Sequence, residues 1–242
     1  MPPRLQELHP SLVHFPIAVL PVAIAADLLG KMTGSRALSE VGRVLMPVAA
    51  VGAAVSAATG LIAQEEVNAT GTAADILVTH RNLNLSLTAI TALMAARRWS
   101  EDEAGSGYLA LGLAGLGALS YSAYLGGKMV YEHGVGVKPA DGLRTGDSPA
   151  LSPSEAPSAA QRAWEDLKHG AATAVADVRA GRIAPAIGES LENPDGAPPS
   201  TNGGANGQPS ARSASAQLAP SAEGGGMDRL ADHGAGSPET LP

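Results

Sequence analysis

The chain has 242 residues and no cysteine, which excludes disulfides, cysteine-based zinc sites and covalently attached c-type haem. It carries 16 lysines and arginines against 23 aspartates and glutamates, a formal net charge of −7, without a basic patch, so nucleic acid is not an expected partner. Hydrophobic residues make up 45% of the chain, and they concentrate in its first half.

Four apolar stretches in that half approach the roughly 20 residues that a helix needs to cross a bilayer. The second stretch has almost no polar stripe, which argues against the alternative of a soluble bundle with buried helices. The third is the least apolar, because Arg81, Asn82 and Asn84 stand near its start. The sequence therefore predicts an all-α fold, a four-helix transmembrane bundle over residues 1–138 with spans at about 12–29, 44–63, 76–96 and 108–132.

Positive charges indicate how this bundle is oriented. Lys31, Arg36 and Arg43 lie between the first two predicted spans, and Arg97 and Arg98 follow the third. The loop between the second and third spans has acidic residues and no lysine or arginine. The positive-inside rule therefore predicts a multi-pass protein of the cell inner membrane, with both termini in the periplasm.

Residues 139–242 differ in character from the predicted bundle. They are rich in proline, glycine, serine and alanine, a composition that cannot bury enough apolar surface to offset chain entropy. We therefore expect a disordered tail. Within it, Trp164, Leu167, Ala171, Val175 and Val178 follow one another at helical spacing, which predicts an amphipathic helix at 159–180, either isolated or lying on the membrane. His169 and His233 in this tail look incidental.

Four histidines belong to the predicted bundle: His9, His14, His80 and His133. Spans one and three begin on the side of the membrane where span four ends, so all four should reach that same side. Histidine in or near a membrane span is costly and is usually functional. Each one singly could also be an interfacial residue that bonds to backbone or to a lipid headgroup.

Together, the histidines predict three kinds of site. Two imidazoles from different helices could ligate a b-type haem, with His14 and His80 as the favoured pair and His133 and His9 as alternatives. Three imidazoles, with or without Glu132, could hold zinc or copper. Arg81 could pair with a haem propionate or with a phosphate headgroup.

The position of His9 depends on where the first helix begins. Pro10 and Ser11 indicate a start after His9, with Ser11 as the N-cap. His9 would then be free to fold back over the mouth of the bundle.

Two runs of sequence resemble the DUF2231 family of bacterial membrane proteins: HPSLVHFPIA, from His9 to Ala18, and LGGKMVYEHGVGV, from Leu125 to Val137. His80, followed by Asn82 and Asn84, is similar to the histidine-bearing third helix of the family. The resemblance covers about residues 5–138. It implies a four-helix membrane domain, and it brings no established activity. Family members joined to cytochrome c or Rieske-type domains suggest redox work at the outer face.

The function expected from these observations is haem binding and electron transfer in the bacterial inner membrane. The alternatives are a structural or accessory subunit without a cofactor and a non-haem metal-binding membrane protein. No catalytic signature is present in the sequence, so no catalytic residues are predicted. The expected partners are the lipid bilayer, periplasmic redox proteins and other membrane subunits.

Overall fold

The computed structural model describes residues 4–137, 140, 142–143 and 151–192. A 3₁₀ turn at Leu5–Glu7 leads into the first helix, and no β-strand forms within the described residues. The helices are α1 Leu8–Leu12, α2 His14–Thr33, α3 Arg36–Ala63, α4 Thr72–Ser100, α5 Ser106–Tyr131, α6 Ala156–Arg179 and α7 Pro185–Glu192.

The four long helices α2 to α5 form a bundle in which neighbours along the chain are neighbours in space. Helix α3 packs between α2 and α4, and α5 packs against both α4 and α2. The central core joins all four helices through fully buried residues such as Ile24, Met46, Met94 and Leu109. This arrangement requires only the short connections that the chain provides, since antiparallel helices are joined by loops of a few residues.

Three of the four spans expected from the sequence are long and apolar enough to cross a membrane: Leu8–Thr33, Arg36–Ala63 and Ser106–Tyr131. Helix α4 contains the expected third span at 76–96 and is as long as the others, with 29 residues. Its composition is more polar than theirs and includes Arg81, Asn82 and Arg98. These three side chains are buried in contacts with other elements. Length and composition therefore support three spans.

The first helix does not start where the sequence indicated. It begins at Leu8, before His9, and Ser11 does not cap it, because Ser11 Oγ donates to the carbonyl of Glu7 at 2.8 Å. The helical ladder breaks at Val13 instead. Pro16 has no N–H for the carbonyl of Leu12, and that carbonyl accepts a hydrogen bond from Ser56 Oγ at 3.3 Å. His9 is thereby held on a short helical turn beside α3.

Part of the sequence assigned to the tail packs on the bundle. Helix α6, at Ala156–Arg179, corresponds to the amphipathic helix expected at 159–180, and it contacts α3 and α4. Helix α7 contacts α4. Residues 193–242, with His233, lie outside the described residues.

Candidate functional site

A partly open cavity of about 690 Å³ lies between the helices of the bundle. It is lined by α1, by all four long helices and by residues after the end of α5. Most of the lining is aliphatic, with small residues such as Ala53, Ala57 and Ala123 where the helices face the cavity. Two imidazoles, His9 and His80, belong to this lining, and they enter it from different helices. The cavity is therefore an apolar space that offers paired nitrogen ligands.

His9 is fixed against α3 by one hydrogen bond and one close contact. Its Nδ1 lies 3.0 Å from the carbonyl oxygen of Ser56. One turn later, Gly60 leaves room for the ring, because a Cβ at that position would lie 3.1 Å from His9 Cε1. Any larger residue would have to displace the imidazole.

His80 is fixed against α5 in the same way. Its Nδ1 lies 2.9 Å from the carbonyl oxygen of Ser122, and a Cβ on Gly126 would lie 3.3 Å from its Cε1. A further side chain supports each of the two serines. Thr59 Oγ1 donates to the carbonyl of Ser56 at 3.1 Å. Asn84 Nδ2 donates to Ser122 Oγ at 2.7 Å, and that hydroxyl lies 3.2 Å from His80 Nδ1.

The two histidine environments repeat along the chain, with one interval for the histidines and a second, shorter interval for their partners. His9 and His80 are 71 positions apart, while their partners Ser56 and Ser122 are 66 apart, as are Gly60 and Gly126. Each half of the bundle thus presents one imidazole held by a serine carbonyl and a glycine one turn further on.

The hydrogen bonds determine which ring nitrogen is available. A carbonyl oxygen only accepts, so Nδ1 of each imidazole must donate its proton to it. The neutral ring then has its lone pair on Nε2. Across the described part of the chain, neither Nε2 takes part in a hydrogen bond. A backbone carbonyl on Nδ1 is the arrangement that orients a histidine as a metal ligand through its other nitrogen.

The other candidate residues are not brought to this pair. His14 is exposed at the first position of α2, and His133 and Glu132 are exposed after α5. Of the favoured pair His14 and His80, only His80 lines the cavity, and His9 lines it with His80. Within the described ranges, no three histidine or acidic side chains are placed to share a metal ion.

Arg81 touches the cavity, yet its guanidinium already has partners. Nη2 donates to Asp177 Oδ2 of α6 at 2.7 Å, and Nη1 donates to Gln64 Oε1 at 3.3 Å. Both partners of the ion pair are largely buried. The expected role of Arg81 as a propionate partner therefore competes with a contact that attaches α6.

The serine and glycine partners of the histidines were not identified from the sequence as parts of a site. Gly52, Ser56 and Gly60 are four residues apart on α3, a spacing that usually indicates close helix packing. The signal that distinguishes them is the repetition of Ser-x-x-x-Gly in both α3 and α5, each matched to one histidine on an adjacent helix.

Comparison with known proteins gives one match. The family model DUF2231, described as a predicted membrane protein, matches residues 6–139, which include all four long helices. No curated protein and no solved structure matches the chain.

Proposed function

The chain belongs to the DUF2231 family of predicted membrane proteins, and we propose that this integral membrane protein binds one b-type haem between His9 and His80 and transfers electrons. The matched pair of imidazoles in one apolar cavity is the observation that carries the proposal. A haem iron takes four nitrogens from its porphyrin and needs only two axial ligands from the protein.

The surroundings of the pair also suit a planar macrocycle. Gly60 and Gly126 let each imidazole pack closely against its neighbouring helix. The mostly aliphatic lining would surround the iron with a low-polarity environment, which tunes its redox potential. The haem would supply the electron transfer, and the protein would supply ligation, orientation and this low-polarity environment.

We further propose that the histidine end of the bundle faces the periplasm of an inner membrane. The opposite end carries Lys31, Arg36, Arg43, Arg97 and Arg98, which the positive-inside rule places in the cytoplasm. A periplasmic redox protein or another membrane subunit would then exchange electrons with the haem.

The test is the absorption spectrum and extractable haem of the protein purified in detergent after expression with haem supplied. We expect a low-spin spectrum in the wild type, and loss of haem in His9→Ala and His80→Ala. His14→Ala and His133→Ala are matched controls, because both side chains are exposed and away from the cavity lining. These two variants should retain haem.

Wild-type protein without haem would overturn the proposal. Stoichiometric zinc, copper or iron in that protein would then favour the non-haem metal site. A protein without any of these that co-purifies with other membrane proteins would favour the accessory subunit. Equal haem in all four histidine variants would show that other residues bind it.

A further inference from the structure

Helix α6 has three distinct faces around its axis. Ala159, Asp166, Gly170 and Ala174 are buried and form the face that docks on the bundle. Gly170 is the closest point, since a Cβ there would lie 2.5 Å from the carbonyl oxygen of Leu61 in α3. Successive helical residues turn by about 100°, which places these four docked residues on one side.

A second face of α6 is apolar and exposed. Trp164, Val175 and Val178 are 60%, 49% and 50% exposed. Their positions fall within about 60° of each other and lie about 120° from the docked face. The remaining side is polar and exposed, with Gln161, Glu165 and Arg179. A helix that served only to cover the bundle would need one apolar face, whereas α6 has a second.

Helix α6 and the segment before α7 cover two polar residues of α4, Arg81 and Asn82, and this explains the second apolar face of α6. Arg81 pairs with Asp177 of α6, and Asn82 Nδ2 donates to the carbonyls of Arg182 and Ile183 at 3.0 and 2.8 Å. These two residues make α4 too polar to face lipid. Helix α6 and the segment before α7 enclose Arg81 and Asn82. The outer surface of α6 therefore takes the place of this part of α4, and it must face lipid as the neighbouring spans do.

The depth of α6 follows from its contact with α3. Leu61 lies two residues before the end of that helix, which is one of the apolar spans. Gly170, in the middle of α6, therefore lies level with the end of an apolar span, and such an end marks the boundary between hydrocarbon and headgroups. Tryptophan is enriched at that boundary, because its ring is apolar and its N–H is polar. Lys168 Nζ lies 5.7 Å from the centre of the Trp164 ring, a basic group suited to the headgroup side.

We propose that α6 lies in the headgroup region of the bilayer, with the apolar stripe of Trp164, Val175 and Val178 in contact with lipid. Ile183, between α6 and α7, is a further apolar side chain that is 60% exposed. Helix α6 and the segment before α7 thus complete the lipid-facing surface of the bundle at α4, and they shield Arg81 and Asn82 from the membrane.

Tryptophan fluorescence in phosphatidylcholine vesicles tests this placement. The chain has two tryptophans, so Trp99→Phe leaves Trp164 as the only reporter. With lipids brominated near the ester end of the acyl chain, Trp164 should lose most of its emission. Lipids brominated near the chain terminus should quench it much less, and aqueous acrylamide should quench it weakly. In Trp164→Phe, quenching of exposed Trp99 by the brominated lipids verifies reconstitution.

A matched pair of surface variants in the Trp99→Phe background isolates the stripe. Val178→Glu introduces a charge on the apolar face and should release Trp164 from the shallow quencher. Ala176→Glu introduces the same charge at an exposed position away from the stripe and should leave the quenching unchanged. The proposal would be overturned if acrylamide quenched Trp164 strongly and neither brominated lipid quenched it. Equal responses of the two glutamate variants would also overturn it.

Discussion

Asp27 and Arg98 meet inside the bundle, where Arg98 Nε donates to Asp27 Oδ1 at 2.9 Å and neither side chain is exposed to solvent. Tyr108 donates its hydroxyl to the other carboxylate oxygen at 3.0 Å, and Ser39 accepts from Arg98 Nη2 through both its carbonyl and its hydroxyl. Each charge is therefore fully bonded, as burial of a charge requires. This pair joins α2 and α4, which are diagonal in the bundle.

Loss of one member of this pair should destabilise the protein more than loss of both. Asp27→Asn leaves the guanidinium buried without its counter-charge, which typically costs about 3–5 kcal/mol. Asp27→Asn combined with Arg98→Met removes the uncompensated charge, so the double variant should unfold at a higher temperature than the single one. Thermal unfolding in detergent measures both. A double variant less stable than Asp27→Asn would contradict this account of the pair.

Gly126→Ala should weaken haem binding, if the proposed function holds. The new methyl group would lie 3.3 Å from His80 Cε1, so the imidazole must shift to accommodate it. Overpacking of this kind typically costs about 1–3 kcal/mol. Gly117→Ala in the same helix is the control, because its Cβ would meet nothing within 4 Å, and both variants gain the same helix propensity. Titration of the apoprotein with haem compares them, and equal affinities would argue against close packing of His80.

Asp166→Asn should stabilise the protein near neutral pH. Burial raises the pKa of the Asp166 carboxyl, and Glu66 and Glu65 add to the rise against the opposing effect of Arg162. A raised pKa in the folded state means that the charged form opposes folding, a cost that is present above this pKa and is lost as the pH falls below it. The stability gain of the variant should therefore shrink at about pH 4, close to the ordinary carboxyl pKa. Thermal unfolding of both proteins at the two pH values tests this, and a gain that grows on acidification would contradict it.

The proposed orientation predicts which end reacts with a reagent that cannot cross the inner membrane. The chain has no cysteine, so single cysteines can be introduced without background. Thr70 and Glu103 are exposed in the loops at opposite ends of α4. In cells with a permeabilised outer membrane, a charged maleimide should label Thr70→Cys and should label Glu103→Cys only after lysis. The reverse pattern would place the histidine end in the cytoplasm.

Hydrophobic length predicts the apolar helices well, because a long apolar run has few alternatives to burial or lipid. It describes α4 less well. The polarity of that helix is matched by partners far away in sequence, such as Asp177, which lies 96 positions after Arg81. A hydropathy average over neighbouring residues cannot detect such a contact. The polarity of α4 is therefore explained only by the docked segment that covers it.

The sequence directs attention to a group of histidines, but it does not specify which of them line the cavity. His9 contacts Ser56, 47 positions later, and no local signal specifies that contact. Pro10 next to Ser11 suggested a helix start after His9. Proline is also tolerated in the first turn of a helix, and the structure uses that alternative. The start of α1 at Leu8 therefore determines that His9, rather than His14, reaches the cavity.

The interval of 71 positions that separates His9 from His80 recurs at the opposite end of the bundle, where it separates Asp27 from Arg98. If two identical hairpins associated as a symmetric homodimer, equivalent residues on the two-fold axis would face each other, aspartate against aspartate. A single polypeptide is free of that restriction. Its halves can carry the same residue at one matched position and residues of opposite charge at another. Because one chain joins the two hairpins, Asp27 can attract Arg98 inside the bundle. In a dimer of identical hairpins, two equal charges would repel each other at this position.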